Sequence, residues 1–419
     1  MLGKTPSFVP GLIALLIASG AVSIVACSSD PSSDGPSASG AAGTSQAAGG
    51  NGSAGHSNSK GGAGSSSEAG SDGEAGSDGE AGSGGDAGAS GVATPEALPE
   101  STFLYVYSQT ADSDLLIARD LKTGDERVVT DLRGDGSDGW EIWGHGISPD
   151  RRRIAVASLF APTDADIATK LATRNVFTFA TDGSDIQRLT PVSPNTGAGR
   201  TNFNISVQDP VFTADGSGVI YDFGNWWYEG TKLQGGSTPW FVSTAGDLPE
   251  PFPTITSCSV IDPSVNPATG DVLLIHSVCV NAADEGIFLY PSAGGTAPTK
   301  LVDRGFGPNA VDPSLEKASW LADGSGFVFT GNIEVTRGNQ TVTAGSLLSF
   351  DMTTGDIGVL LVPEPNTSIR SAAIAPDGSA IVYCLYHDDV YDLHGIDLTL
   401  DPPEDAPLTD DGKSCSPGF

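Results

Sequence analysis

The sequence predicts an all-β protein, a six-bladed β-propeller that follows a signal peptide and a disordered linker. Three observations predict it. Runs of Val, Ile, Phe, Tyr and Leu, separated by Asp-Gly, Asn-Pro and Thr-Gly turns, dominate the chain beyond residue 101, which is the pattern of short strands. A turn-and-strand motif recurs five times at near-constant spacing. The last six residues read like the strand that precedes each of those turns, and they supply what the first unit lacks.

Residues 1–26 read as a signal peptide. Lys4 supplies a short positive start, an apolar stretch runs from Phe8 to Ala26, and Ala26 is the small residue expected at a cleavage point. An ordinary secretory signal and a membrane-spanning helix compete with this reading, but Pro6, Pro10 and Gly11 break the start of a run that is only just long enough to span. The sequence Ile24-Val25-Ala26-Cys27 resembles the lipobox of bacterial lipoproteins. That resemblance implies cleavage before Cys27 and acylation of its thiol. The expected partner is therefore a membrane, held through lipid. More than one acyl chain is needed, because each buried methylene contributes only about 0.8 kcal/mol. Ser28, rather than an acid, points to the outer membrane, at its periplasmic face or at the cell surface.

Residues 27–100 are expected to be a disordered tether. Gly, Ser and Ala dominate, and such a composition buries too little apolar surface to offset the entropy of ordering. The hexad EAGSDG occupies Glu68–Gly73 and Glu74–Gly79 and begins again at Glu80. It has no hydrophobic position, so neither a solenoid nor a coiled coil fits. A flexible chain of this length spans roughly 50 Å.

The repeat occupies residues 101–419. Its copies are ISPDRRRIAVAS from Ile147, FTADGSGVIYDF from Phe212, VNPATGDVLLIHS from Val265, WLADGSGFVFTG from Trp320 and IAPDGSAIVYCL from Ile374, with starts 65, 53, 55 and 54 residues apart. Each reads as an apolar residue, a six-residue turn and an apolar strand. The turn Asp caps, and Gly takes the positive φ in three copies. Two further strands follow, as in Asn175–Thr190, Ile287–Val302 and Ser346–Val362. Four strands per unit of about fifty residues is a propeller blade. Phe103–Leu132 supplies three strands without a turn motif before them, and Ser414–Phe419 resembles Ser206–Phe212, so the C-terminus should complete blade one. A seventh, degenerate blade within Ala161–Arg200 is the alternative count. Only Thr163–Thr173 looks weakly helical. The turn motif followed by an apolar strand, with its later Leu-Thr ending, resembles the TolB-type β-propeller family over residues 102 to 419. Members also carry an α/β domain that has no counterpart here.

Residues 102–419 hold 42 acids and 18 bases, a balance of −24, within a chain of net charge −32. This argues against nucleic acid and against direct binding to anionic lipid. No motif for a cofactor or for a catalytic nucleophile, base or metal centre is present, so neither cofactor nor metal is expected. His145, His276, His387 and His394 are scattered, and His387-Asp388-Asp389, Asp135–Asp138 and Asp182–Asp185 suit turns better than cation sites. Two features point to binding. Trp226, Trp227 and Tyr228, with Trp240 after a Gly-rich loop, are expected in an insertion that follows blade three's second strand, where they suit a sugar ring or a protein hot spot, or packing against the next blade. Alignment of the repeats places Gly144, Asp209, Asp262, Lys317, Ser371 and Ser416 at equivalent positions, three residues before each turn motif on the innermost strand. Asp209, Asp262 and Lys317 there suit a cation, a peptide terminus or a solvated channel lining.

The four cysteines of the repeat region are an even number in an exported chain. If Val265 pairs with Val272 across the blade-four turn, partners sum to 537, and Cys258 falls opposite Cys279. Cys384 and Cys415 remain as a second pair across the ring closure. The expected protein is a monomeric cell-envelope lipoprotein whose propeller docks an envelope protein or peptide without catalysis. A propeller-type polysaccharide lyase or glycosidase acting on an extracellular glycan is the alternative.

Overall fold

The computed structural model describes residues 94–110, 113–133, 142–158, 174–190, 201–229, 232–254, 258–292, 297–303 and 315–419. The signal peptide, Cys27 and most of the expected tether lie outside these, as do Thr163–Thr173 and Asp135–Asp138. Among the described residues the strands form six four-stranded antiparallel sheets, each a blade. The innermost strands are Ile142–Ile147, Thr201–Phe212, Ser259–Val265, Glu316–Trp320, Thr367–Ile374 and Ser414–Gly418, in blades two to six and one. Each touches the next, and the last returns to the first, so they close a ring. No helix among the described residues is long and apolar enough to cross a membrane.

Blade one is composite. Ser414–Gly418 pairs with Thr102–Thr110, joining the chain's end to its first strand. Six apolar clusters fill the six junctions between neighbouring blades. Both faces of each sheet are therefore covered. Arg153–Ser158 is buried at all but its first residue, and Asn175–Ala180 throughout. This is why the strands read as unbroken apolar runs rather than alternating ones.

The turn motif works as its residues suggest. Asp215 accepts from the Ser217 amide and hydroxyl and from the Thr213 hydroxyl, and Asp323 and Asp377 hold Ser325 and Ser379 in the same way. Gly216, Gly324 and Gly378 take φ near +70°. Blade two has Arg151 there instead, at φ 58°. Its guanidinium donates to the carbonyls of Leu98, Pro99 and Thr102, at 2.9, 2.9 and 2.6 Å. A lead-in segment thus docks on blade two before blade one begins, with Leu98 only 6% exposed in the core between the two blades. The expected tether boundary at residue 100 is corrected accordingly. Leu98 supplies the apolar surface that a tether lacks, so residues 95–100 belong with the propeller.

Both disulfides are present, Cys258–Cys279 with Cα atoms 4.0 Å apart and Cys384–Cys415 with 5.1 Å. The first forms in a different register from the one expected. Val265↔Val272 and Ser264↔Leu273 sum to 537, but a bulge intervenes, and Ile261↔Ile275 through Ser259↔Ser277 sum to 536. Continued, that register sets Cys258 opposite Val278. The strand ends at Ser277, and Val278 turns the chain with φ 49° and an exposed side chain, which brings Cys279 back to Cys258.

Candidate functional site

Every innermost strand carries a one-residue bulge, and the six equivalent positions lie in it or beside it. The shifts fall between Ile142 and His145, Gln208 and Val211, Ile261 and Ser264, Glu316 and Ser319, and Ile369 and Ser371, with a matching one opposite Tyr105 in the closing strand. Gly144, Asp209, Asp262 and Ser416 there take positive φ, from 47° to 92°. Bulges re-aim side chains and cluster beside functional sites. Asp tolerates this conformation better than most residues, which is a backbone reason for its choice at two of the positions.

The bulges turn Asp209, Asp262 and Lys317 toward one another. Lys317 Nζ lies 3.6 Å from Asp209 Oδ1, and both side chains are 22% exposed. Asp209 belongs to blade three and Lys317 to blade five, so the pair reaches past blade four across the centre of the ring. A fourth residue joins them from the neighbouring strand of blade three. Asp222, 1% exposed, accepts the Asp262 amide at 2.8 Å through Oδ2, while its Oδ1 is buried without a hydrogen-bond partner. Ligand oxygens of Asp209, Asp222 and Asp262 all lie within 4.8 Å of one another. Burial, and then the charges of Asp262 and Asp209, push the Asp222 carboxyl well above the usual carboxylate range.

His145 closes the far side. It is 2% exposed, and its Nε2–H donates to the Ser416 carbonyl at 2.7 Å, leaving Nδ1 as a buried acceptor without a partner. Burial and the nearby Lys317 ammonium push it down to about 3, so it stays neutral. Gly144 brings blade two against Asp209 so closely that a Cβ would sit 2.6 Å from Asp209 Oδ1. The Ser371 hydroxyl is buried without a partner.

Sequence reasoning missed Asp222 and gave His145 no role. A signal for Asp222 existed. In the aligned repeats its position is held elsewhere by Ala157, Ile275, Thr330 and Cys384, so a carboxylate there interrupts a strand that is otherwise uncharged. The aromatic trio is placed differently from expectation. Trp226, Trp227 and Tyr228 lie within the strand Gly218–Glu229, not on an insertion, and their backbones pair with Gly235, Gln234 and Leu233 in a long hairpin. Trp240 packs on Phe223 at 5.1 Å. Asp182 caps a turn at Ser184, Asp185 pairs with Arg153, and Asp388 and Asp389 form the tip of a hairpin. A cleft of about 580 Å³ between blades one and two is lined by acids such as Asp120 and Asp182. Those two spend their carboxylates on turn amides, so they do not converge on a ligand.

The Asp222 carboxyl carries a pH signature. A carboxyl whose pKa is higher in the folded than in the unfolded chain stabilises the fold while protonated. That contribution is full below the unfolded value of 3.8 and is lost as pH rises toward the folded value. Asp222→Asn keeps an acceptor for the Asp262 amide and removes the titration. In metal-free buffer its melting temperature should match the parent's near pH 4 and exceed it increasingly toward pH 7.5. Parallel melting profiles across that range would show that Asp222 is not held neutral.

No protein-family model matches the chain, and no curated protein matches it in sequence. Solved structures do share its fold. TolB from Acinetobacter baumannii superposes with a TM-score of 0.50 at 14% identity, over 76% of this chain and 66% of that one, so the chain spans just under two thirds of its length. A TolB described as putative, from Agrobacterium tumefaciens, gives 0.45 at 12% identity over 75% and 90% of the two chains. An oligogalacturonate lyase from Vibrio parahaemolyticus gives 0.44 at 13% over 75% and 80%. Likeness at these identities shows the fold alone. The protein is a six-bladed β-propeller with TolB-like structural neighbours.

Proposed function

We propose that this chain is a cell-envelope lipoprotein, anchored in the outer membrane through Cys27, whose propeller is a non-enzymatic docking platform for an envelope protein or peptide. One observation carries the docking half. Asp209 and Lys317, from non-adjacent blades, converge with Asp262 at the centre of the ring while remaining partly open to solvent. Such a charged, pre-formed mouth can orient a polar chain terminus or side chain. Two disulfides and a signal-like stretch, residues 1–26, followed by Cys27 support an exported address. The glycan-cleaving alternative would draw its acid from Asp222, whose raised carboxyl suits that role. Burial to 1% puts it out of reach of a sugar ring.

The test has two arms. Cys27→Ala should leave unprocessed precursor and abolish membrane fractionation; unchanged processing and fractionation would remove the lipoprotein reading. Cross-linking in intact cells, followed by recovery of the chain, should give a partner whose yield falls at least about tenfold in Asp209→Ala/Lys317→Ala, the loss of roughly 1.4 kcal/mol of binding. An undiminished yield would place docking elsewhere. Turnover of an extracellular polysaccharide by the purified chain would replace docking with catalysis.

A further inference from the structure

We infer that Asp209, Asp222 and Asp262 form a site for one divalent cation of the hard, oxygen-preferring class and of calcium size, which enters in place of the ammonium of Lys317. The sequence alone led to no expectation of a metal. A cluster of acids would not by itself carry this inference. Asp222 does, because it is a carboxyl placed inside the fold, at a repeat position that is elsewhere uncharged, with one oxygen committed to an amide and the other to nothing. Burying a polar atom without a partner costs on the order of 1–3 kcal/mol. Retaining that cost at the point where two other carboxylates converge is what a ligand site requires.

Charge and donor set agree. With Lys317 withdrawn, three ionised carboxylates bring −3 to one point, and one divalent ion reduces this to −1. Calcium takes oxygens at roughly 2.3–2.6 Å, so opposite ligands stand about 4.6–5.2 Å apart, whereas magnesium at about 2.0–2.1 Å needs them near 4.1 Å and keeps its waters. The three oxygens lie within 4.8 Å of one another, close enough to share one ion, and three carboxylates exceed the one or two that magnesium usually takes. Asp209 and Asp262 are half-buried, so water can complete the shell from the open side.

Without the ion, Lys317 stands beside Asp209, and the Asp262 amide donates to one oxygen of Asp222. Lys317 is then a tethered competitor. Entry of the ion frees the Lys317 side chain to point out of the mouth. The charged groups facing Asp222 are Asp209, Asp262 and Lys317, and all three take part.

The test titrates CaCl2 into the full chain, purified in detergent and stripped with EDTA, by calorimetry. One ion per chain is expected, with a Kd between about 1 µM and 1 mM and at least tenfold weaker binding of MgCl2. Asp222→Asn, checked for an intact melting transition, should weaken binding at least tenfold. Lys317→Met should tighten it several-fold. Absence of stoichiometric binding, equal affinity for magnesium, or full affinity in Asp222→Asn would each overturn the assignment. Binding of a peptide's free N-terminal ammonium in place of calcium would overturn it too. Loss of the calcium site would leave partner docking to be decided by its own cross-linking arm.

Discussion

A chain ending at Lys413 should fail to hold a folded ring at 37 °C. The missing residues are the innermost strand of blade one, which pairs Ser414 with Tyr107, Cys415 with Val106 and Gly418 with Leu104. They also carry Cys415, half of the closing disulfide, and Phe419, whose ring lies 5.8 Å from that of Phe103. Their loss strips the channel side of Thr102–Thr110 and opens the cluster that holds Phe103, Tyr105, Val382 and Leu393. It also removes the Ser416 carbonyl that accepts from His145. A native disulfide alone is worth about 2–5 kcal/mol of a total near 5–15. With the strand gone as well, little stability remains. The expected result is aggregation on expression, or a melting temperature lower by roughly ten degrees or more. Cys384→Ser/Cys415→Ser, which keeps the strand, should lose distinctly less. A truncated chain melting within a couple of degrees of the parent would show that the ring is not closed by its C-terminus.

Gly144→Ala should be the most damaging single methyl in the candidate site. Gly144 has φ 92°, and a Cβ there would lie 2.7 Å from Asp209 Cα and 2.8 Å from its amide nitrogen. Those atoms are backbone and cannot swing aside. The conformation costs an L-residue about 1–2 kcal/mol, and overpacking adds about 1–3. Asp209 must also move, which breaks its approach to Lys317. Melting should fall by several degrees, and the calcium affinity proposed above should fall with it. Gly355→Ala is the matched control. Gly355 has φ 75° and no atom within 4 Å of the added carbon, so it bears the conformational cost alone. If the two variants melt together, the contact between blades two and three is softer than its geometry implies.

Much of the fold was legible because its cause is local and repeated. An Asp that caps a turn, a Gly at positive φ and an apolar strand follow from a dozen consecutive residues, and five copies leave little freedom. The closing strand was readable for the same reason, since Ser414–Phe419 matches Ser206–Phe212. The equivalence of Asp209, Asp262 and Lys317 was also visible, because a propeller maps equal repeat positions onto equal depth in the channel. What failed had no local cause. The bulges leave no compositional trace, so the disulfide register was misjudged by one residue. Asp222 sits on the second strand of its blade, where the aligned repeats show an unmatched carboxylate but not that the fold buries it beside Asp209 and Asp262. Leu98 stands at the end of a stretch poor in large apolar residues, and only the Arg151 clamp explains its burial.

That clamp decides where mechanical load enters the ring. The Leu98 amide donates to the Arg151 carbonyl, the Arg151 guanidinium holds the lead-in carbonyls of Leu98 and Pro99 and that of Thr102, Arg152 holds the Pro95 carbonyl, and the Thr181 hydroxyl holds that of Glu96. A pull on the chain ahead of Thr94 therefore meets blade two before it can peel Thr102–Thr110 from its neighbours. The load is divided over several hydrogen bonds instead of opening one strand edge, as a cable gland relieves the joint behind it.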